Sequence, residues 1–572
     1  MNQDLGALEL LREELQSEET FLKVNALHRL PVICKVLGPE LVKNQLLPYL
    51  NGHFHTGLLG EDEEVLFSLA RELTSLQPYL RGNIALLIPP LEALAAMDET
   101  LVREEAVRSL VSLAEVMNDN EVLTIFAPLV VRLSEQEKFS SKMAASALVA
   151  AAYPRAGALK EKLRGKFFEL SHEETPMIRR VVAVQMAAVA TVMEKDVLLG
   201  QLMTEFKQLT MDEQDAIRNV CIDALITMSR LFTREDNRLY TLPLAITAGE
   251  DKSWKVRIHF AEQFPALAEA FGREMTESSL IQTFVQLLRD TEADVRAMCL
   301  QSLQQTMKAL SPEKVQTLVF PHLSSMAQDT NANAHVRIHI ADIVAEMAVA
   351  LGATFTQANL LSVVEDLLKD SNNEVKVHVA LTLDRLGQVI GAELPATRFC
   401  TAVLALPKES TCWRVREAVF TQCAILGKQL GTDVFVQYLQ PTFFLFIKDI
   451  SHAVRQAGIS QLRALSAAMK GDWARSHLLP TLRETYNSSG YAHRISVLEC
   501  LPAVDLPLPD ILSFLNEAAR STVPNLRFNM CKVAKQLLAR QNSPEVRGLV
   551  QSLLSDTDGD VVYYAQAALR SN

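Results

Sequence analysis

Apolar residues recur along this chain with a helical period inside short segments and with a longer period from one segment to the next. The longer period is marked by an aliphatic residue followed by arginine or lysine, about every 39 residues. The clear copies are Leu22-Lys23, Val102-Arg103, Ile178-Arg179, Ile217-Arg218, Val256-Arg257, Val295-Arg296, Val336-Arg337, Val375-Lys376, Val415-Arg416, Val454-Arg455 and Leu526-Arg527. Weaker copies fill the gaps at Val65-Leu66, Ser141-Lys142, His493-Arg494 and Val561-Val562. The pattern predicts about fifteen copies of one structural unit.

The residues around each dipeptide repeat as well, and they predict two helices per unit. Apolar residues follow the basic residue at seven and ten positions, as in Leu110 and Leu113, so that they share one face of a helix with the aliphatic residue. A shorter apolar helix precedes each dipeptide and often opens with proline, as in PLVVRL at 128–133. Since one such hairpin cannot bury its apolar stripe alone, we expect an all-α superhelical solenoid in which each unit stacks on the next, a single array over 1–572.

Turn residues support this division. An aspartate stands five positions before the aliphatic residue at Asp212, Asp251, Asp290, Asp370 and Asp449. We expect it in the turn between the two helices, bonded to free amides at the start of the second helix, with the arginine pairing to carboxylates of the same or an adjacent unit. Glycine is expected to end several second helices with a left-handed cap, at Gly272, Gly352 and Gly391. Three prolines in 501–510 predict a short, kinked second helix in the thirteenth unit.

Composition narrows the function classes. The net charge of −12 argues against a general nucleic-acid binder. Residues 371–572 hold 21 Lys or Arg against 17 Asp or Glu, whereas 1–370 hold 35 against 51, which indicates two kinds of partner surface or uneven solubilising charge. The eight cysteines are scattered, as reduced thiols in helices are. The acidic N-terminus and the short apolar runs predict no signal peptide and no membrane association, hence a cytoplasmic protein, with the nucleus as a second compartment.

Motifs of enzymes are missing from the sequence. No phosphate-binding glycine loop, HExxH zinc motif or GxSxG nucleophile motif occurs. His53 and His55, or His335 and His339, are simpler to interpret as a polar turn and as repeat packing than as metal ligands. We therefore expect no catalysis, no metal and no cofactor.

Aromatic residues in the predicted turns are the unusual feature. Two of the three tryptophans directly precede the repeat dipeptide, in Ser-Trp254-Lys255-Val-Arg and Cys-Trp413-Arg414-Val-Arg. Tyr491 has a comparable place before His493-Arg494. A tryptophan beside an additional basic residue is typical of an interface anchor. The alternative is that each ring caps the core of its own hairpin.

The units resemble HEAT repeats, and their order along residues 5–570 is similar to that of the scaffolding A subunits of protein phosphatase 2A. The segments that carry the resemblance are 175–180 (TPMIRR), 212–215 (DEQD), 251–257 (DKSWKVR), 413–416 (WRVR), 472–474 (DWA), 491–494 (YAHR) and 525–529 (NLRFN). Differences from the family pattern occur at Lys138, where the family has tryptophan, at His452, where it has tyrosine, and at Val562, where it has lysine.

The resemblance implies a non-catalytic scaffold that forms heterodimers with a phosphatase catalytic subunit, and heterotrimers with a variable B-type regulatory subunit. Repeats 11–15, here 396–572, would bind the catalytic subunit. The matching residues, here called the catalytic-subunit set, are Trp413, Arg414, His452, Tyr491, Arg494, Asn525 and Arg527. Repeats 2–8, here 43–310, would bind the regulatory subunit. The matching residues, here called the regulatory-subunit set, are Pro176, Arg179, Arg180, Trp254 and Lys255.

Two other functions fit a HEAT-type array. An acidic adaptor of the nuclear-transport receptor type is the main alternative, although such chains are usually longer and lack the Trp-Arg/Lys-Val-Arg turns. A DNA-processing HEAT-like enzyme would need a basic concave face, and the acidic excess in 1–370 argues against it. The partners captured from cells would separate these functions.

Overall fold

The structure is a computed structural model, and it describes residues 2–55, 62–80, 82–329, 333–469, 472–488 and 490–570. Every regular element in these ranges is helical. The chain divides into two compact units, Met1–Leu287 and Leu288–Asn572. In each unit, helical hairpins follow one another in sequence, and the second helices of neighbouring hairpins pack side by side. This arrangement confirms the predicted all-α repeat fold.

In the first unit, shorter helices alternate with the longer second helices of the hairpins. The main helices are Asn2–Leu15, Thr20–His28, Leu30–Leu41, Leu47–His55, Glu63–Glu72, Ile88–Ala95, Thr100–Val116, Ala127–Glu135, Phe139–Ala152, Lys160–Ser171, Pro176–Val192, Met203–Leu209, Asp215–Leu231, Leu242–Gly249, Trp254–Phe271 and Ile281–Leu287.

The second unit continues the same alternation. Its main helices are Ala293–Lys308, Phe320–Gln328, Ala334–Phe355, Leu361–Leu368, Asn373–Leu381, Leu383–Ile390, Arg398–Glu409, Trp413–Leu430, Gln440–Phe443, His452–Ala468, Leu479–Ser488, Tyr491–Cys500, Leu508–Ala519, Pro524–Arg540, Pro544–Gln551 and Gly559–Leu569. The helix Tyr491–Cys500 is short, as predicted, and it ends in the 3₁₀ turn Leu501–Ala503.

The predicted apolar stripe forms the core of each unit. In most repeats the aliphatic residue of the dipeptide and the apolar residues seven and ten positions after the basic residue are buried. Val415, Leu462 and Leu465, for example, are fully buried. Burying a side chain of this size contributes about 1.5–3 kcal/mol. The period that marks the repeats is therefore also the period of the residues that hold them together.

The prolines of the first helices lie in the first turn of an α-helix, as predicted, but that α-helix continues a longer helical path. The helical path already begins upstream and passes through a five-residue π-helical turn before the proline, as in Val122–Phe126 before Pro128. The same turn precedes Pro243 and Pro441. A π turn shifts the hydrogen-bonding register by one residue, so that a residue without an N–H is accommodated within a continuous helical path.

One helical stretch in the described residues, 334–368, is long and apolar enough to cross a bilayer by length and mean hydropathy. The pair Asn373–Ala396 and Arg398–Glu409 reaches the same criterion only when joined across an 82° bend. The stretch is interrupted at Gly352, whose φ of 81° and ψ of 175° lie outside the helical region. Buried residues such as Val336 and Ile340 lie along it. We interpret it as two core helices of neighbouring repeats, since core helices meet the same criterion.

Glycines end several second helices, but in a conformation other than the expected left-handed cap. Gly272, Gly352 and Gly431 have φ between 77° and 92° with ψ between 162° and 175°, and Gly391 has φ 71° with ψ −143°. This extended region with positive φ is accessible almost only to glycine. The chain makes a sharp turn there into the next repeat.

Replacing Gly431 by alanine is therefore expected to destabilise the protein by roughly 1–3 kcal/mol, because a Cβ atom is strained at this φ. Urea unfolding followed by circular dichroism measures the change. Gly548→Ala is the matched control, since Gly548 lies inside the helix Pro544–Gln551 with open space around it. The control should be neutral or slightly stabilising. An equal loss in both variants would contradict the assignment of strain to Gly431.

Candidate functional site

In several repeats the turn between the two helices is fixed by a buried ion pair that crosses to the next repeat. Arg416 Nε lies 2.6 Å from Asp449 Oδ2, and its Nη2 lies 3.0 Å from Asp449 Oδ1. Arg416 Nη1 donates to the carbonyls of Ser410 and Thr411 in its own turn. Asp449 Oδ1 also accepts from the Ser451 amide at 2.8 Å. The carboxylate thus joins one turn to the next.

The same arrangement recurs in both units. In each of these pairs the arginine binds the aspartate of the following repeat, which settles the choice between same and adjacent repeat that the sequence left open. The pairs are Arg179–Asp212 and Arg218–Asp251 in the first unit, and Arg337–Asp370, Arg416–Asp449 and Arg527–Asp556 in the second; together they are called the ladder. The aspartate carboxylate accepts a hydrogen bond from the backbone amide two residues later in the chain. That amide belongs to the residue directly before the second helix, whereas we expected an amide in the first turn of the helix.

The ion pairs of the ladder are largely buried. The side chains of Arg218 and Asp251 are 6% and 9% exposed, and those of Arg416 and Asp449 are 7% and 5% exposed. The value of about 0–1 kcal/mol for an exposed pair therefore does not apply. Removing one partner of a buried pair leaves a charge without compensation, which is strongly destabilising.

The hydrogen bonds of the ladder lower the pKa values of the turn aspartates Asp251 and Asp556. Burial alone would raise the pKa of Asp251, but the hydrogen bonds from Arg218 and the Ser253 amide outweigh it and hold the pKa below its usual value. The bonds from Arg527 lower the pKa of Asp556 in the same way. Since the folded pKa is depressed, the stability from these carboxylates is present above their unfolded pKa and is lost as the pH falls through the folded one.

In the second unit, Trp413 and Arg414 begin the helix Trp413–Leu430 and point away from the core. Trp413 is 41% exposed. The Arg414 guanidinium lies 5.4 Å from the centre of the Trp413 ring, and Nη1 lies 3.2 Å from Glu374 Oε1. A ring and a guanidinium stacked in this way lose little freedom when a partner binds. At this exposure, part of the Trp413 side chain is open to a binding partner.

The other members of the catalytic-subunit set fall into two groups. His452, Tyr491 and Asn525 are exposed at the starts of the second helices of their hairpins, and Tyr491 is 53% exposed. Arg494 is half-buried, with its guanidinium 5.5 Å from the centre of the Tyr486 ring. Arg527 belongs to the ladder, and its Nε and Nη2 both contact Asp556.

The regulatory-subunit set lies in the first unit. Pro176 is the first residue of the helix Pro176–Val192, and Thr175 before it is extended, with φ −74° and ψ 114°. Arg179 is a ladder residue with Nε 2.6 Å from Asp212 Oδ2, whereas Arg180 is exposed. The structure thus separates a structural arginine from an available one, as the order of the two residues predicted.

Arg180 also lines an open cavity of about 340 Å³ on the second helices of three successive hairpins. Ala144 and Ala147 from the middle helix and Arg108 from the first helix also line it. Two hairpins further along, Trp254 is 43% exposed and Lys255 is exposed. These exposed residues all belong to second helices, as those of the catalytic-subunit set do.

Ile450 was missed by the sequence analysis. Its side chain is 89% exposed, in the turn between the 3₁₀ helix Phe444–Lys448 and the helix His452–Ala468, which also contains Asp449. A comparison of the turns with one another would have found it, because the residue after the turn aspartate is polar elsewhere: Glu213, Lys252, Thr291, Ser371 and Thr557.

Metal sites and reactive thiols are two features by which catalytic chemistry would show itself in the described part of the chain. No three His, Cys, Asp or Glu side chains there lie close enough to share a metal ion. The side chains of His53 and His55 lie outside the described residues, and His339 Nε2 lies 3.1 Å from Gln301. Burial raises the pKa of the Cys34, Cys400 and Cys531 thiols to about 12, which makes them poor nucleophiles.

Residues 166–314 match the family model of the PIK3R4-like middle domain. The beta isoform of the human 65 kDa regulatory A subunit of serine/threonine-protein phosphatase 2A is 30% identical over 392 residues, covering 67% of this chain and 64% of the relative. The regulatory A subunit of protein phosphatase PP2A from Schizosaccharomyces pombe is 33% identical over 274 residues, 47% of this chain and 46% of the relative.

The chain is a homologue of the protein phosphatase 2A regulatory A subunits. A third relative, from Dictyostelium discoideum, is named protein phosphatase 2A scaffold subunit, with 31% identity over 291 residues. The alignments span about half to two thirds of the length of these A subunits, from 46% to 64%.

Karyopherins are among the solved structures that are similar to the chain. The karyopherin Kap121p bound to the SUMO protease Ulp1p has a TM-score of 0.54 at 13% identity, covering 98% of this chain and 64% of the karyopherin. A structure of Kap95p with RanGDP has a TM-score of 0.51 at 12% identity, covering 99% and 78%. At such identities the likeness concerns the solenoid fold alone.

Proposed function

We propose that the chain is a non-catalytic scaffold of a protein phosphatase 2A type complex. It binds a serine/threonine phosphatase catalytic subunit through the catalytic-subunit set, and a variable B-type regulatory subunit through the regulatory-subunit set. The observation that carries the proposal is the exposed Trp413-Arg414 pair on a turn held by a buried ion pair, in a chain homologous to the phosphatase 2A regulatory A subunits. The complexes are a heterodimer and a heterotrimer, formed in the cytoplasm and, as a second compartment, in the nucleus.

The proposed scaffold depends on rigid turns, and the ion pairs of the ladder make the turns rigid. A turn whose arginine, aspartate and backbone are already bonded presents its remaining side chains in a fixed direction. Binding then requires little further ordering, and more of the contact energy appears as affinity. Aromatic and arginine side chains are the residue types that contribute most at such interfaces.

Arg179 and Arg527 contribute to this scaffold from within the chain. Their guanidinium groups are bonded to Asp212 and Asp556, and they therefore position the turns for Arg180 and Asn525. Direct contact with partners falls to the exposed members of the two sets.

Capture of the tagged chain from its native cells, with mass spectrometry of what remains bound, tests the proposed function. We expect the bound proteins to include the catalytic subunit of a serine/threonine phosphatase. Transport cargo and a small GTPase in its place would contradict the proposal and favour a nuclear-transport adaptor.

Arg180→Glu is expected to weaken binding of the regulatory subunit by about 1.5–3 kcal/mol, because the exposed guanidinium would lose a charge-assisted bond to a carboxylate. Binding of the catalytic subunit should remain unchanged, since Trp413 and its neighbours belong to the other compact unit. Both affinities are measured on one preparation by biolayer interferometry.

Arg230→Glu is the control for this charge reversal. Arg230 is 54% exposed and lies in the last turn of the helix Asp215–Leu231, away from the start of the second helix. Loss of both partners in the Arg180 variant, or an equal loss in the control, would contradict the assignment.

A further inference from the structure

Ile450 is more exposed than any other large apolar side chain in the described residues. Its exposed fraction of 89% compares with 41% for Trp413 and 53% for Tyr491. These three residues stand at the turns of three successive hairpins in the second unit. A single exposed isoleucine is unremarkable by itself, so its significance depends on the turn around it.

The turn that carries Ile450 is among the most firmly held in the described part of the chain. Asp449 on one side is bonded to Arg416 and to the Ser451 amide. On the other side, Arg455 Nη1 donates to the carbonyls of Asp449 at 2.8 Å and of Ile450 at 3.2 Å. The backbone on both sides of the isoleucine is therefore fixed, and its side chain is held outward.

The turns of the other repeats show that this position does not require an apolar residue. Its equivalents are Glu213, Lys252, Thr291, Ser371 and Thr557. Their turns include the same aspartate bond to the backbone, as at Asp212, Asp251 and Asp556. The fold thus accepts threonine or serine there, and the isoleucine at 450 serves no packing purpose within its hairpin.

We infer that Ile450 is an apolar anchor for the phosphatase catalytic subunit, inserted into an apolar pocket of that partner. The inference rests on the proposed function and deepens it by stating the chemistry of the partner surface. Trp413 and Tyr491 on the flanking turns extend the apolar contact. Arg414, whose Nη1 lies 3.2 Å from Glu374, has further N–H groups that can bind a carboxylate of the partner. His452 in the same turn is the polar neighbour of the anchor.

Ile450→Thr tests the inference with a residue that the fold already accepts at Thr291 and Thr557. We expect the Kd for purified protein phosphatase 2A catalytic subunit to rise about tenfold, mainly through faster dissociation. Ile450→Val, which keeps a branched apolar side chain, should retain most of the affinity. Circular dichroism and the thermal midpoint of each variant should match those of the unaltered chain.

Leu239→Thr is the matched control. Leu239 is 70% exposed but lies in the other compact unit, in the helical turn Asn237–Thr241. Its replacement should leave the Kd unchanged. Unchanged binding by Ile450→Thr, with binding lost in Trp413→Ala, would overturn the inference and leave the proposed function standing. If the unaltered chain does not bind the catalytic subunit, the proposed function is wrong, and the inference with it.

Discussion

Arg416→Ala is expected to lower the stability of the second compact unit by about 3–5 kcal/mol. The substitution leaves the buried Asp449 carboxylate without its ion-pair partner, and it removes two bonds to the turn carbonyls of Ser410 and Thr411. The midpoint of urea unfolding, followed by circular dichroism, measures the change. In a stack of repeats, this loss should appear as unfolding of the region around the altered turn at lower urea.

Arg414→Ala provides the control, because Arg414 is two positions away and its pair with Glu374 is exposed on both sides. Its loss should change the stability by at most about 1 kcal/mol. Asp449→Ala completes a double-mutant cycle with Arg416→Ala and should show strong coupling. Equal, small effects of Arg414→Ala and Arg416→Ala would show that the ladder does not hold the repeats together.

The largest effect on binding is expected from the combined substitution Trp413→Ala and Arg414→Ala. Central aromatic and arginine anchors contribute roughly 2–4 kcal/mol each, so the catalytic subunit should bind several kcal/mol more weakly. The array should stay folded, since both side chains point outward and the ladder residue Arg416 is untouched. Isothermal titration calorimetry against purified catalytic subunit measures the loss.

Trp254→Ala with Lys255→Ala is the matched control for that experiment. The two residues have the same place in a Trp-Lys-Val-Arg turn of the first unit, and Trp254 is exposed to a similar extent as Trp413. The control should leave binding of the catalytic subunit unchanged. Unaltered binding in the folded Trp413 and Arg414 variant would show that this turn is not the catalytic-subunit site.

The sequence predicted the repeat fold because the same buried stripe recurs from repeat to repeat. Leu462 and Leu465 are buried where the period places them, and Asp449 lies in the turn as expected. The partner of Arg416 could not be derived, because a carboxylate of the same repeat and one 33 residues onward are equivalent until the repeats are stacked. Its burial likewise depends on stacking.

The π-helical turns before Pro128 and Pro441 were not predictable from helix-capping rules, which place proline in the first turn. These rules consider one helix at a time, whereas the π turn belongs to a longer helical path. The conformation of Gly431 was predictable only in part. A glycine at the end of a helix indicates a positive φ, but it does not indicate the extended ψ of 174° that the structure has.

The candidate site was predictable in its residue types and, for one pair of arginines, in their roles. Arg179 belongs to the repeat dipeptide and Arg180 does not, so their order predicted that Arg179 is structural, whereas its bond to Asp212 of the next repeat is known only from the stacked structure. Ile450 has no motif around it, and its exposure follows from the fixed path of the turn backbone.

Native mass spectrometry of the reconstituted complex tests the central claim most directly. The full chain is mixed first with purified phosphatase 2A catalytic subunit, then with a B-type regulatory subunit. The account predicts a one-to-one complex in the first step and a complex with one copy of each of the three proteins in the second. A chain that stays free in the first step, or that releases the catalytic subunit when the regulatory subunit binds, would contradict a scaffold with two separate binding surfaces.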